Sequence, residues 1–295
     1  MSKPRELFEC HGHLMMDGAD FQCARQRHAA GVDIAAVERN LAALHGAGVR
    51  YFRDGGDAYG VSAAARELAP RWDIEYVSPM FAIHKKAYYG GIVGRSFSDI
   101  GEYRTRVVEA KAAGCDFIKL MLSGIITFKK YGELSCPGLE ADEIRELIHV
   151  AHEEGFSVMA HVNGAETVRA AIAAGVDSIE HGYCMDDAAI RMLAASNSIW
   201  VPTIAATAAF LDRAGFDAEI TEQTVENQKR SVCRAAELGA VIACGSDTGA
   251  AGVPHGAGTA AEMKFLRAAG MTAEQIAAGN EAVRRRFGNL GETVV

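Results

Sequence analysis

Two histidines near the start of the chain are spaced so that they could hold one metal ion. His11 and His13 lie two positions apart in a short apolar segment, 7–13, that is typical of a β-strand. Because side chains alternate between the two faces of a strand, residues two apart point to the same side. Imidazole suits Zn, Ni, Fe and Mn as a ligand, and Zn is the common ion in hydrolases. The pair alone is a weak signal, since a lone histidine at a strand end is usually structural.

A lysine within an apolar run is the second unusual feature. Lys119 lies in DFIKLML, residues 116–122, which otherwise has the composition of a buried strand. Burial disfavours the charged ammonium form, and so does a neighbouring dication. A neutral amine can take up CO2 and become a carbamate, which offers two anionic oxygens to a pair of metal ions. The alternative is a lysine that extends to solvent, or one that pairs with Asp247 or Glu180.

Three more polar residues end other predicted strands. His161, His181 and Asp247 each follow a different apolar segment. Catalytic side chains of barrel enzymes lie at the carboxyl ends of the strands, so we expect these residues to converge at one mouth. Phe117 and Met121 share a strand face with Lys119, and this face would point inward. The predicted metal ligands are therefore His11, His13, Lys119, His161, His181 and Asp247.

The segments that must position these residues follow a repeated pattern. A helical stretch ends in an Ala/Gly pair and leads directly into a short apolar strand, which is typical of α/β units. Four such phrases cover 43–54, 110–120, 171–181 and 235–247. Further strands are predicted at 7–13, 74–81, 157–161 and 199–204. Helices are predicted at about 34–46, 60–69, 99–113, 140–154, 165–174, 187–196, 219–238, 258–269 and 273–287.

Eight strands that alternate with helices predict an α/β fold, specifically a closed (β/α)8 TIM barrel. No composition shift marks a second domain, so we expect one domain over residues 1–295. The longest link, 82–98, falls between the third strand and its helix. Long loops of this kind lie at the catalytic face of barrels and often act as lids.

Charge and composition exclude several classes of protein. The chain has 30 basic and 38 acidic residues, a net charge of −8, which argues against nucleic-acid binding and gives no polybasic membrane patch. Seven scattered cysteines without a CxxC pair predict reduced thiols. No signal peptide or membrane span is evident, so we expect a cytoplasmic protein that acts on a small molecule. The basic run at 284–286 is interpreted as a solvated face or a subunit contact, which leaves a homo-oligomer open.

Several longer motifs contain the predicted site residues and their neighbours: CHGH at 10–13, GVRYFRDGG at 48–56, GCDFIKLMLSG at 114–124, AH and NG within 160–164, AGVDSIEHG at 174–182, VPT at 201–203, GSDTG at 245–249 and HGAGTAAEM at 255–263. With these motifs, the chain resembles the amidohydrolase superfamily, in the branch of imidazolonepropionase-like enzymes and metal-dependent Xaa-Pro dipeptidases. The resemblance extends over nearly the whole chain and is specific for the fold and the metal centre rather than for the substrate.

The resemblance implies a binuclear centre with two divalent ions, of which Zn is the expected kind. His11, His13 and Asp247 would hold the first ion, and His161 and His181 the second. Carboxylated Lys119 and a hydroxide would bridge them. The implied reaction is hydrolysis of an amide-type C–N bond in a dipeptide, an N-acyl amino acid or a cyclic amide. The hydroxide would be the nucleophile, and Asp247 the general base and then the general acid.

Two further expectations concern the surroundings of the site. The superfamily usually carries a small β-sandwich built from both sides of the barrel, and the short flanking segments here predict a barrel without it. Side chains of the predicted βα loops are the candidates for substrate contacts, and His255 matches a position that the family uses near substrate. These candidates are His84, Tyr88, Tyr89, Tyr131, Asn163, Tyr183 and His255.

Four other functions are weighed against the amidohydrolase. A lactonase or esterase could use the same metal centre. A mononuclear deaminase would place a glutamate three residues after His161, where this chain has Gly164. Lys119 could instead form a Schiff base in an aldolase barrel. A non-catalytic binding paralogue should have lost metal ligands, whereas all six positions are filled here.

Overall fold

In the computed structural model, which describes residues 6–288, strands and helices alternate along the chain. The strands are β1 (Leu7–Gly12), β2 (Val49–Asp54), β3 (Glu75–Val77), β4 (Ala82–Lys85), β5 (Gly94–Phe97), β6 (Ile118–Met121), β7 (Val158–Val162), β8 (Ser178–His181) and β9 (Ile199–Val201). The helices are α1 (Phe21–His28), α2 (Ile34–Gly46), α3 (Val61–Leu68), α4 (Ile100–Ala112), α5 (Ala141–Glu153), α6 (Ala165–Ala173), α7 (Asp187–Ala194), α8 (Ile204–Ala208), α9 (Ala218–Glu237), α10 (Ala257–Ala268) and α11 (Ala273–Phe287). A short 3-10 helix, Ala69–Trp72, follows α3.

The strands pair in parallel in two sheets, with the orders β1-β2-β3 and β5-β4-β6-β7-β8-β9. Residues 241–248 contact both sheets. The N–H of Trp200 in β9 donates to Val241 O at 2.9 Å, and the N–H of Cys10 in β1 donates to Cys244 O at 2.9 Å. The predicted eighth strand thus forms isolated bridges rather than a regular strand. The α/β fold with parallel strands is confirmed, and closure into a (β/α)8 barrel stays a prediction.

The predicted third strand, 74–81, and the predicted long link, 82–98, are divided differently in the structure. Pro79 lacks an N–H and Met80 adopts a left-handed backbone with φ 62°, so the strand is interrupted after β3. It resumes as β4, which lies between β5 and β6 in the larger sheet. The prediction of one long loop is therefore wrong, because only the residues between β4 and β5 form a loop.

All nine predicted helices are present, with ends that differ by at most two residues. The sequence pattern misses α1 and α8. In α1 only Ala24 and His28 are buried, so its sequence has no apolar periodicity. Its start is set locally instead, because the Asp20 side chain accepts the N–H of Gln22 at 2.7 Å. α8 has five residues, which is too short for a helical repeat to be recognised.

The two faces of β6 are used as the alternation predicts. Ile118 and Leu120 belong to the hydrophobic cluster that includes buried side chains of α4 and α5. Lys119 and Met121 face a cavity on the opposite side. Phe117 lies on that same side and packs edge-on against Phe287 of α11, with 5.3 Å between the ring centroids. Lys119 therefore lies next to an apolar cluster on this side of β6, and only 1% of its surface is exposed.

Several predictions about the whole chain stay predictions. Residues 1–5 and 289–295, on which the expectation of a missing β-sandwich partly rests, lie outside the described residues. The single domain and the cytoplasmic location likewise stay predictions. Within residues 6–288, no helix combines the length and the apolar character that crossing a membrane requires.

Glu262 in α10 is a buried carboxyl whose titration we expect to influence stability. Its Oε2 accepts the N–H of Ala205 at 2.7 Å, whereas Oε1 has no hydrogen-bond partner among the described residues. Burial raises the pKa of Glu262 from 4.5 to about 8. Between these two values the folded state binds a proton that the unfolded state has released. The free energy of unfolding therefore falls as pH rises through this range.

Glu262→Gln should remove this loss, because the amide keeps the shape of the protonated carboxyl and does not ionise. We expect its thermal midpoint, relative to the wild type, to rise by several degrees from about pH 5 to pH 8. Scanning calorimetry at a series of pH values measures the difference. Glu222→Gln, an exposed change in α9, is the matched control. A constant difference between Glu262→Gln and wild type at all pH values would contradict the prediction.

Candidate metal centre

A cavity of about 580 Å³ opens near the carboxyl ends of β1, β7 and β8. All of the predicted metal ligands line this cavity, although they come from five strands or strand-like segments that are distant in sequence. These ligands are His11, His13, Lys119, His161, His181 and Asp247. The expected convergence of these side chains is therefore present in the structure.

The ligand atoms are close enough to share ions. Nε2 of His11 and Nε2 of His13 each lie 3.6 Å from Oδ1 of Asp247. One ligand atom each from His11, His181 and Asp247 lies within 4.8 Å of the others. The ring centroids of His161 and His181 are 4.6 Å apart. Divalent ions could thus contact several of these side chains at once.

Three buried polar atoms at this point have no protein partner. Nε2 of His11, Nζ of Lys119 and Oδ1 of Asp247 make no hydrogen bond to any of the described residues. Leaving a buried polar group unpaired costs about 1–3 kcal/mol each. A nitrogen, an amine that can become a carbamate and a carboxylate oxygen form a donor set that suits a divalent transition metal ion. The residues present therefore fit a metal centre.

The first two histidines are each anchored through one ring nitrogen. Nδ1 of His11 lies 2.5 Å from Oε2 of Glu180, and Nδ1 of His13 lies 3.4 Å from the carbonyl oxygen of Gly56. Each contact leaves Nε2 free toward the cavity, as is usual for metal-binding histidines. The ring of His13 also needs the glycine at position 55, since a Cβ at Gly55 would lie 2.2 Å from Cε1 of His13.

The other two histidines show the same arrangement. Nε2 of His161 lies 3.3 Å from the carbonyl oxygen of Gly124 and 3.4 Å from Nδ2 of Asn163, which leaves Nδ1 free. Nδ1 of His181 lies 2.8 Å from Oγ1 of Thr203, which leaves Nε2 free. All four imidazoles therefore have one nitrogen fixed by the protein and one nitrogen available as a ligand.

Burial keeps these imidazoles neutral. It lowers the pKa of His13 and of His161 to about 3, and the positive charge of Lys119 contributes further to both shifts. Burial also lowers the pKa of His11 and of His181 well below the usual range. Because only the neutral imidazole has a free lone pair, the site can bind metal at neutral pH without first releasing protons from histidine.

Lys119 and Asp247 are shifted in opposite directions. Burial lowers the pKa of Lys119 to about 8 and raises that of Asp247 to about 6. The charges of Glu180 and Asp247 oppose the fall in the pKa of Lys119, but neither carboxylate forms a close ion pair with it. Among residues 6–288, no carboxylate oxygen lies within 4.0 Å of Nζ. A substantial fraction of this amine is therefore neutral near pH 8, as reaction with CO2 requires.

A buried arginine supports the site from below. Nη2 of Arg53 donates to Oε1 of Glu180 at 2.8 Å, Nη1 donates to Oγ of Ser178 at 2.9 Å, and Nε donates to Cys10 O at 2.7 Å. Its guanidinium lies 4.4 Å from the ring centroid of Phe287. Arg53 and Glu180 are fully buried. From the sequence, Arg53 and Glu180 are recognised only as polar residues near the ends of predicted strands. Their position on the inward face of those strands was the available signal that they support the site.

Left-handed backbone turns several site residues toward the cavity. His181, Asp247 and Thr203 have φ values of 68°, 61° and 53°, which non-glycine residues rarely adopt. Glu180 already uses the inward face of β8, so simple alternation would turn the next residue away from the site. The left-handed backbone at His181 allows both Glu180 and His181 to point toward the site. Such strained residues commonly cluster at functional sites.

Three of the seven predicted substrate contacts lie next to the ligands. Tyr89 lines the cavity, with its ring centroid 5.0 Å from that of His161. Asn163 and Tyr183 are buried behind the histidines instead of lining the cavity. The Tyr183 hydroxyl lies 2.8 Å from Oγ1 of Thr203, so its contact with the site passes through the residue that holds His181.

The other four candidates lie outside the cavity lining, and a substrate role for them stays a prediction. Nδ1 of His84 lies 3.0 Å from the carbonyl oxygen of Lys85. Nε2 of His255 lies 2.9 Å from a carbonyl oxygen in the segment that follows β1. Tyr88 and Tyr131 are partly exposed.

The mouth of the cavity contains residues that the sequence pattern does not single out. They come from the start of α1, the loop after β6 and the segment between α8 and α9, where no strand end directs attention to them. These residues are Phe21, Ile125, Phe210, Arg213 and Phe216.

Comparisons with known proteins give a family profile, curated relatives and solved structures that are similar to this chain. The profile of the family described as "Amidohydrolase family" matches residues 10–279. An uncharacterized protein of Mycobacterium tuberculosis is 29% identical over 214 residues, which are 70% of this chain and 56% of the relative. The chain thus spans about half the length of the curated relatives that it matches.

Two solved structures share the fold. A Xaa-Pro dipeptidase with methionine bound in its active site has a TM-score of 0.75 at 20% identity, over 97% of this chain and 78% of that chain. A Bifidobacterium longum protein that is classed provisionally as a prolidase has a TM-score of 0.74 at 24% identity, over 96% of this chain and 69% of that chain. At these identities the likeness concerns the fold and not the substrate.

Proposed function

Because this chain belongs to the amidohydrolase family, we propose that it is a binuclear metal-dependent hydrolase that cleaves an amide-type C–N bond. The observation that carries the proposal is the convergence of unpaired atoms in one cavity. Nε2 of His11, Nζ of Lys119 and Oδ1 of Asp247 are buried there without a partner among residues 6–288. Metal ions would satisfy all three.

In this proposal the ligands divide into two sets. His11, His13 and Asp247 would hold one ion, His161 and His181 would hold the other, and carboxylated Lys119 would offer two further oxygen ligands. Divalent ions, with Zn expected, would act there as Lewis acids and make a bound water more acidic. The segment 241–248 would close the two sheets into a barrel and bring Asp247 to the mouth.

The side chains of the protein have distinct tasks in the proposed reaction. Asp247 would accept the proton of the attacking water and then donate it to the leaving nitrogen, acting first as general base and then as general acid. Glu180 fixes the orientation of His11 through Nδ1, and Arg53 fixes Glu180. The burial of these groups strengthens their electrostatic effect on the reacting atoms.

Removal of the metal provides the direct test. Treatment with a chelator should lower kcat/KM for a reactive dipeptide or N-acyl amino acid by at least about 10²-fold, because the Lewis acid supplies several kcal/mol. Zinc with bicarbonate should restore the activity. Elemental analysis before and after treatment measures the bound metal, and chelator already saturated with zinc is the control.

Two outcomes would contradict the proposal. Full activity of protein that is free of metal would exclude a metal-dependent reaction. Borohydride trapping of Lys119 with a carbonyl substrate would instead indicate a Schiff-base aldolase. A screen that finds turnover of lactones but not of amides would retain the metal centre and change the bond that is cleaved.

A further inference from the structure

The mouth of the cavity is unusually apolar for a solvent-exposed surface. Among residues 6–288, six large hydrophobic side chains are exposed, and three of them line the cavity: Phe21, Ile125 and Phe216. Tyr89 and Ile92 continue this surface inward. An exposed apolar patch at a concave site commonly marks a binding surface.

Arg213 lies at this mouth without an acidic partner. It is exposed and lines the cavity, and no carboxylate of the described residues lies within 4.0 Å of its guanidinium nitrogens. By contrast, Arg234 and Arg191 on the outer surface pair with Asp187. The guanidinium of Arg213 has N–H donors that remain available to a ligand.

A cluster of three phenylalanines lies beside this arginine. The guanidinium carbon of Arg213 lies 5.2 Å from the ring centroid of Phe210, within the range of a cation–π contact. Phe210 packs against Phe216 at 4.6 Å and against Phe128 at 5.1 Å between ring centroids. Phe128 is buried in the loop after β6, so two loops meet beneath the arginine. The contact with Phe210 therefore places the positive charge of Arg213 beside this aromatic cluster at the mouth.

The acidic residues of the same segment, Asp212 and Asp217, form no ion pair with Arg213 within 4.0 Å, and the acidic residue at the start of α1 is engaged elsewhere. Asp20 also lines the cavity, but its Oδ1 accepts the N–H of Gln22 at 2.7 Å and its Oδ2 accepts the thiol of Cys23 at 3.6 Å. It is engaged at the start of α1. In a protein with a net charge of −8, the unpaired Arg213 thus offers local attraction to an anion that the rest of the surface repels.

We propose that Arg213 and the surrounding aromatic residues form a carboxylate subsite at the mouth. The ligand class is an amide that carries a free carboxylate and a bulky apolar group. The carboxylate would accept hydrogen bonds from the planar guanidinium of Arg213, and the apolar group would pack against Phe210 and Phe216. The binding of a carboxylate at Arg213 does not depend on the proposed hydrolysis. Only the claim that the amide bond of this ligand is cleaved rests on the proposed function.

Calorimetric titration of the zinc-loaded protein tests this subsite with two matched probes. N-acetyl-L-phenylalanine has the free carboxylate, and N-acetyl-L-phenylalaninamide replaces it with a neutral amide. We expect the wild type to prefer the carboxylate by about tenfold, less at high salt because the pair is exposed. Arg213→Met should remove this preference, and Arg213→Lys should keep part of it. If the protein hydrolyses a probe, the titration also records the heat of the reaction, and the dependence of this heat flow on probe concentration gives KM.

Arg267→Met is the matched control, since it removes an exposed arginine of α10 that does not line the cavity. It should retain the wild-type preference. Equal affinity for both probes, a preference that survives Arg213→Met, or no binding of either probe would overturn the subsite. Binding that depends on Arg213 without any turnover would support the subsite and count against the proposed hydrolysis, so the two claims fail separately.

Discussion

Lys119→Met should abolish hydrolysis while the metal-free protein keeps its thermal stability. We expect kcat/KM to fall by about 10³-fold or more, because several kcal/mol of metal-centred stabilisation depend on this side chain. The apolar replacement should leave the metal-free thermal midpoint unchanged or raise it, since Nζ is buried and has no partner among the described residues. Lys264→Met, an exposed change in α10, controls for the loss of a positive charge.

The smaller variant, Lys119→Ala, tests the carbamate directly. Truncation leaves space where formate, acetate or propionate could supply the missing carboxylate, so part of the activity should return when these anions are added. Metal analysis of each sample shows whether the ions return with them. No rescue by any of the anions, with the metal content unchanged from wild type, would contradict a bridging role for Lys119.

The position of Lys119 could be predicted because it depends on local rules. Alternation along the strand puts Phe117, Lys119 and Met121 on one side, and the apolar neighbours Ile118 and Leu120 need the other side for the core. The helices were predictable for the same reason, since an amphipathic helix repeats its pattern over several turns. Where one face must be buried, the sequence specifies orientation strongly.

Other parts of the site depend on contacts that no local pattern records. His181 and Asp247 reach the cavity through left-handed backbone, which strand alternation does not anticipate. The interruption between β3 and β4 depends on Pro79 and Met80, which are single residues within an otherwise apolar stretch. Arg213 lies beside Phe210, which packs against Phe128 of a loop that is distant in sequence. The role proposed for Arg213 follows from its lack of an acidic partner among the described residues, which becomes visible only in three dimensions.

Asp247→Asn should lower kcat for a peptide or N-acyl substrate by about 10²–10⁴-fold, the range that general acid–base catalysis usually contributes. The Asp247 side chain is 16% exposed, and its buried Oδ1 lies 3.6 Å from the Nε2 atoms of His11 and His13. The N–H of Asp247 donates to His11 O at 2.8 Å and its carbonyl oxygen accepts the N–H of Ala250 at 3.0 Å, so the backbone is held on both sides of the substitution. Asp73→Asn, an exposed change before β3 at a residue that does not line the cavity, is the control and should retain full activity.

The leaving group separates proton donation by Asp247 from a role in metal binding alone. A peptide nitrogen must be protonated as it departs, whereas a nitrophenolate departs without a proton. If Asp247 donates that proton, Asp247→Asn should impair hydrolysis of the amide at least about tenfold more than hydrolysis of a nitrophenyl ester with the same acyl group. Equal losses on both substrates, in protein with its full metal content, would show that Asp247 does not act as the acid. Equal losses together with depleted metal would instead assign the effect to its contact with the ions.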